Sequence, residues 1–247
     1  MNFYTKLFLK RRRIIVQLLV SLLFFVSGKQ AFSQRQGNAS SIFVTSYGIE
    51  EGLRQSMVRQ VCQDSRGLIW MVTGDGLQCF DGKEFRLFRV PITDQESYSE
   101  NIMREMVESK PGQFTISTSS SILNFYSTTG DFKVVFRKPG NHPRIFKLLY
   151  QQKPLAWISG KGLFQVDGIR LIPLQLKNSE PDNQPVGFYP SHAVESRFGT
   201  ILLEHEKGYL EINMNTSSAD SGFAARWFPL DKGCQGLAKD KKGNVFL

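Results

Sequence analysis

Histidine and cysteine are scarce in this chain, with three of each in 247 residues. Cys62, Cys79 and Cys234 show no C-x-x-C spacing and have no histidine nearby, so a zinc site is unsupported. An odd count of cysteines also argues against a disulfide framework. All three read as small buried hydrophobes. A Cys62–Cys79 bridge is disfavoured because a further strand falls between the two. Helical periodicity is also missing after the N-terminal segment, which excludes helix-bundle and βαβ architectures. Acidic residues are absent from the first 33 residues, where Lys6, Lys10, Arg11, Arg12, Arg13 and Lys29 stand uncompensated. These six account for most of the net charge of +9, and only +3 is left for the remaining 214 residues. A charge that thin offers no phosphate-binding stripe, so nucleic acid is not expected as a partner.

What the N-terminus does contain is a secretory pattern. A basic run ends at Arg13, an apolar run of 13 residues follows from Ile14 to Val26, and a short polar stretch comes next. As a helix the apolar run would extend about 20 Å, short of the roughly 30 Å hydrocarbon core of a bilayer. Ala31 and Ser33 supply small residues for cleavage before Gln34. The expected organisation is therefore a signal peptide over 1–33, a linker over 34–41 and an exported, periplasmic domain over 42–247. An uncleaved N-terminal anchor is the competing reading.

The exported part is rich in tight turns and short apolar runs. The clearest stretch, QDSRGLIWMVTGDGLQCFDGKEF, runs from Gln63 to Phe85. It reads as a turn at Asp64-Ser65-Arg66-Gly67, a strand about Trp70, a turn at Gly74-Asp75-Gly76, a strand from Leu77 to Phe80, and a type I′ hairpin turn at Asp81-Gly82. The cadence returns around Gly112, around Trp157 with Gly162, around Gly199 and around Gly243. Taking the position three after each turn marks Trp70, Thr115, Trp157, Leu202 and Phe246, spaced by 45, 42, 45 and 44 residues. A period near 44 with about four strands per unit predicts an all-β fold, a β-propeller of four-stranded blades. The units are expected near 42–90, 91–137, 138–175, 176–230 and 231–247, an incomplete ring of about four to five blades where seven are expected. A β-sandwich is the alternative, but it gives no reason for one turn to recur at a constant interval.

The recurring residues have structural roles in this reading. Asp64 and Asp81 shape turns, Gly67, Gly76, Gly82, Gly112, Gly162, Gly199 and Gly243 take positive φ, and Trp70 and Trp157 fill gaps between adjacent sheets. None is expected to be catalytic, and no cofactor or metal is expected. Glu204-His205-Glu206 is the one dense group of ligand-type side chains, but alternation along a strand would send His205 to the face opposite both glutamates. All three read as solvated strand residues. Tyr98, Tyr126, Arg144, Tyr189 and His192 are loop-region residues of the kind that recognise sugars, without marking a site by themselves.

The first unit, with Gly52-Leu53 and the run from Val58 to Phe85, resembles the two-component regulator propeller repeat of sensor proteins in gut and soil Bacteroidetes. The resemblance is dense from Gly52 to Phe85 and weak beyond: Thr115 stands for the tryptophan of the second unit, Pro154 for the turn glycine of the third, and Leu202 and Phe246 for later tryptophans. It implies a periplasmic sensor propeller that belongs to a longer, membrane-bound hybrid histidine kinase. It also implies an oligosaccharide ligand, the rest of a receptor chain and a homodimer as partners, and no kinase activity in these residues. A secreted propeller enzyme acting on polysaccharide and a protein-binding scaffold are the alternatives.

Overall fold

The computed structural model describes residues 44–178, 188–215, 222–230 and 236–246. The expected signal peptide, the 34–41 linker and Cys234 lie outside them. The described chain is a succession of antiparallel meanders. The first sheet runs β1 (Val58–Gln63), β2 (Ile69–Thr73), β3 (Gly76–Phe80) and β4 (Phe85–Phe88) in chain order. The second is β5 (Met103–Lys110), β6 (Gln113–Thr118), β7 (Ser121–Tyr126) and β8 (Asp131–Arg137). The third is β9 (Arg144–Tyr150), β10 (Lys153–Ile158), β11 (Gly162–Asp167) and β12 (Arg170–Pro173). The fourth contains β14 (His192–Glu195), β15 (Thr200–His205), β16 (Gly208–Asn213) and β17 (Phe223–Pro229), and β18 (Ala238–Lys239) pairs with β19 (Val245–Phe246) in a fifth.

The first strands β1, β5, β9, β14 and β18 pack on one another in succession. Each sheet therefore radiates from a shared inner line, which is the arrangement of propeller blades. Burial follows from it. Strands β2, β6 and β10 are buried at nearly every position because a sheet or a sheet-to-sheet layer covers both faces. The outermost β8 is largely exposed.

The recurring turn is one backbone shape built with different side chains. Asp64 Oδ1 accepts the backbone N–H groups of Arg66 and Leu68, both at 2.9 Å. Its Oδ2 accepts the Trp70 indole N–H at 2.9 Å and the Arg66 guanidinium. Asp240 repeats the first pair with Lys242 and Asn244 at 2.8 and 2.9 Å. With Phe246 in the tryptophan position, the Asn244 amide donates to its second oxygen. Ser196 Oγ takes the same role toward Phe198 and Thr200. All seven motif glycines have φ between 71° and 107°. At Gly76 a Cβ would lie 2.6 Å from the Phe88 carbonyl oxygen, so space as well as backbone conformation demands glycine there.

Several sequence expectations need correction. The turn after Phe80 has Asp81 bonded to Glu84, with Gly82 and Lys83 at its centre. Only Gly82 of the two has positive φ, so the turn follows the glycine-first II′ pattern and not I′. In the third sheet the corner is Gln151-Gln152, flanked by the paired Tyr150 and Lys153. Both glutamines have positive φ, 49° and 62°. The residue three beyond this corner is Leu155 and not Trp157, so the structural spacings are 45, 40, 47 and 44. Trp157 is buried two residues further on against Phe188, and its indole N–H has no partner among the described residues.

A short helix, α1 (Gln95–Glu100), interrupts the strand pattern before β5. Its last residue carries a buried carboxylate, held by Arg137 at 2.6 and 2.9 Å and by the Ser121 hydroxyl at 2.7 Å. The fourth sheet has a fifth strand, since β13 (Leu176–Asn178) joins its outer edge parallel to β17. Cys62 and Cys79 are free thiols, each placed opposite Trp70 from one side of β2. Burial pushes the Cys79 thiol up to about 11.

Candidate functional site

Because the sheets share one polarity, the starts of the first strands and the turns between second and third strands lie at one end of the fold. The corners between first and second strands lie at the other. The five sugar-type residues divide between these ends. Arg144, at the start of β9, stands 2.8 Å from Glu105 of β5 through Nε, at an angle that makes an ion contact without a hydrogen bond. Its guanidinium carbon lies 5.6 Å from the Tyr189 ring centroid, and its terminal nitrogen donates to the Ser191 carbonyl. Tyr189 donates its hydroxyl to the His142 carbonyl at 2.6 Å. Burial, with Glu105 nearby, raises the tyrosine pKa against the opposing pull of Arg144. The groups of this cluster are spent on one another, and they fasten the inner strands of three sheets together.

His192 is exposed at the start of β14, opposite Glu204, and Tyr98 is exposed on α1. In the Glu204-His205-Glu206 group, Glu204 and His205 alternate on β15 as expected, while Glu206 lies beyond the strand in the turn to β16. His205, however, is buried and not solvated, with its ring stacked 5.2 Å from Phe188 and its Nδ1 accepting the Lys207 N–H. That burial lowers its pKa. Glu204 accepts the Leu237 N–H at 3.2 Å, tying the fourth sheet to the segment before β18. Among the described residues no three histidine, cysteine, aspartate or glutamate side chains are grouped to hold a metal ion.

Tyr126 lies at the opposite end, in a cleft of about 430 Å³ between the second and third sheets. Its walls are polar. From the second sheet come Lys110, Gln113 and Tyr126, and from the third come Gln151, Gln152 and Lys153. The floor is a buried pair in which the Thr115 hydroxyl donates to Asn124 Oδ1 at 2.9 Å, while Asn124 Nδ2 crosses to the Gly168 carbonyl at 2.7 Å. Lys153 pairs with Asp167 at 2.9 Å. The residue types legible in sequence were the tyrosine and the Thr115 replacement. The two glutamines gave no signal, because their role depends on a corner conformation that ordinarily announces itself with glycine.

Over 81% of the chain, the structure superposes on the extracellular domain of a hybrid two component system from B. thetaiotaomicron, with a TM-score of 0.59 and 19% identity. The shared fold is a β-propeller of four-stranded blades. A catalytically inactive variant of virginiamycin B lyase from Staphylococcus aureus superposes over 75% of the chain, with a TM-score of 0.56 and 13% identity. The same fold thus also occurs in an enzyme, and activity has to be argued from sites. In sequence, 69 residues are 38% identical to Histidine kinase P4 of Formosa agariphila. That match spans 28% of this chain and 5% of the kinase, while the chain covers 28% of the solved extracellular domain. No family model matches the sequence. No helix among the described residues is long and apolar enough to cross a membrane.

Proposed function

We propose that this chain is the N-terminal part of a periplasmic ligand-sensing propeller of a membrane-bound two-component regulator, that its ligand is an oligosaccharide, and that it performs no catalysis itself. The observation that carries the reading is the run of radiating four-stranded sheets that superposes over 81% of the chain on an extracellular domain of such a system. The motif carboxylates support it from the other side. Asp64, Asp81 and Asp240 are each engaged by backbone N–H groups within their own turns, which gives them work other than proton transfer. The rest of the receptor chain and a second copy of it are the partners this reading calls for. Cell fractionation with N-terminal sequencing tests export, with a mature chain beginning at Gln34 expected in the periplasm. Calorimetry against a panel of neutral and uronate-bearing oligosaccharides tests sensing, and uniform silence overturns the ligand.

A secreted enzyme acting on polysaccharide is the second reading, favoured by the lyase superposition alone. New chain ends appearing on incubation of the purified protein with polysaccharides would establish it in place of the first.

A further inference from the structure

Neighbouring gaps in this fold are closed in different ways. Between the first and second sheets, the Trp70 indole lies 4.8 Å from Phe114 and 5.5 Å from Phe125 and fills the space. The residue at the same distance from its corner in the second sheet is Thr115, and Asn124 stands opposite it where Cys79 stands opposite Trp70. A large apolar group is thus exchanged for two short polar ones, and the gap to the third sheet opens as the cleft of about 430 Å³. Such a volume lies within the roughly 300–1,000 Å³ of small-molecule sites.

A second departure from the repeat borders the same cleft. The first-to-second-strand corners of the other sheets use Gly67, Gly112, Gly199 or Gly243 at positive φ, whereas this one uses Gln151 and Gln152. Left-handed backbone at two consecutive non-glycine residues is unfavourable and tends to persist where a site needs the side chains. Packing makes no use of them. Among the described residues the Gln151 amide reaches only the hydroxyl of its neighbour Tyr150 at 3.3 Å and the Gln152 amide has no hydrogen-bond partner, yet both line the cleft. Across from them stand Gln113 and Lys110, whose side chains are likewise unengaged among the described residues, and the Tyr126 ring, with the Lys133 ammonium 5.4 Å from its centroid. Amides that donate and accept, one free ammonium group and an aromatic wall are the groups that recognise the hydroxyls and apolar face of a sugar.

We propose that the cleft between the second and third sheets is a saccharide-binding site, opened by Thr115 and Asn124 at the inter-sheet position and equipped by the strained Gln151-Gln152 corner. The proposal rests on the oligosaccharide-sensing reading and assigns that ligand its place. The test is calorimetry of the full chain against neutral and uronate-bearing short oligosaccharides, repeated with two variants. Gln151→Asn combined with Gln152→Gly installs the preferred type I′ pair. It is expected to raise the melting temperature while weakening the bound sugar about tenfold or more, the loss of one to two hydrogen bonds. Tyr126→Ala, verified as folded by circular dichroism, is expected to weaken the same sugar by a similar factor. Undiminished affinity in both variants overturns the cleft and leaves the sensor reading intact. A lowered melting temperature in the Asn-Gly variant overturns the proposed exchange of stability for binding. Silence of the unmodified chain toward every sugar overturns the cleft and the sensing reading together.

Discussion

The gap between the first and second sheets and the gap between the second and third do the same mechanical job with different materials. The first is an aromatic core of eleven buried apolar residues, in which Trp70, Phe114, Phe125 and the partly buried Phe88 meet edge to face and tilted. The second buries five, Ile122, Ile145, Ala156, Ile158 and Val166, and gives the rest of its length to the polar cleft. The third gap, with thirteen, is apolar again. A repeated fold can leave one joint underpacked because its neighbours carry the stability. The underpacked joint is where the fold has room for a cleft.

The largest expected effect comes from breaking the well-packed side. Trp70→Ala removes the group that fills the first gap and leaves an Asp64 oxygen without its indole donor. A loss of about 3–5 kcal/mol in denaturant unfolding is expected, as for other buried aromatic truncations. Thr115→Ala, at the matching position of the second gap, is expected to cost about 1 kcal/mol, because it leaves only the Asn124 carbonyl oxygen unsatisfied beside an existing cavity. Equal losses would contradict the contrast between the two gaps.

A smaller effect isolates the turn. Burial pushes the Asp64 carboxyl up, but hydrogen bonds from Trp70, Leu68 and Arg66 outweigh it and hold the pKa below its ordinary 3.8. A carboxylate depressed in the folded state adds stability that is complete above its unfolded value and fades as pH falls through the folded one. Unfolding free energy should therefore drop below about pH 4, and Asp64→Asn should lower stability at neutral pH while flattening that acid limb. An unchanged acid limb would exclude Asp64 as its source. Near the other end of the scale, Gln152→Gly alone should stabilise the chain by about 1 kcal/mol, by relieving left-handed backbone at the cleft. The mildest test is chemical. With its thiol pushed up to about 11 by burial, Cys79 beneath Trp70 should resist maleimide at neutral pH in the folded chain and label only on unfolding.

Much of the first sheet was legible because each of its turns uses the residue that its geometry favours. Asp64 with Gly67, Gly76 in contact with Phe88, and Asp81 before Gly82 announce corners independently of anything distant. Where corner chemistry departs from the favoured residue, local rules misplace the register. Gln151-Gln152 bends like glycine without being glycine, so a register taken from Pro154 puts Trp157 in a position that belongs to Leu155. Alternation predicted the opposed faces of Glu204 and His205, but not that Phe188 and Trp227 would cover the histidine. Strand β13 escaped because a parallel partner more than forty residues away leaves no local trace. Helix α1 is short, and its anchor is the long-range pair of Glu100 with Arg137.

The amino-acid sequence by itself determined the strand-and-turn grammar, the approximate period and the apolar faces, because these depend on interactions within a few residues. Tertiary structure alone decided which gap is dry and which is open. That outcome depends on what two sheets jointly place between them: a tryptophan facing phenylalanines in one gap, and a threonine and asparagine facing a strained pair of glutamines in the next.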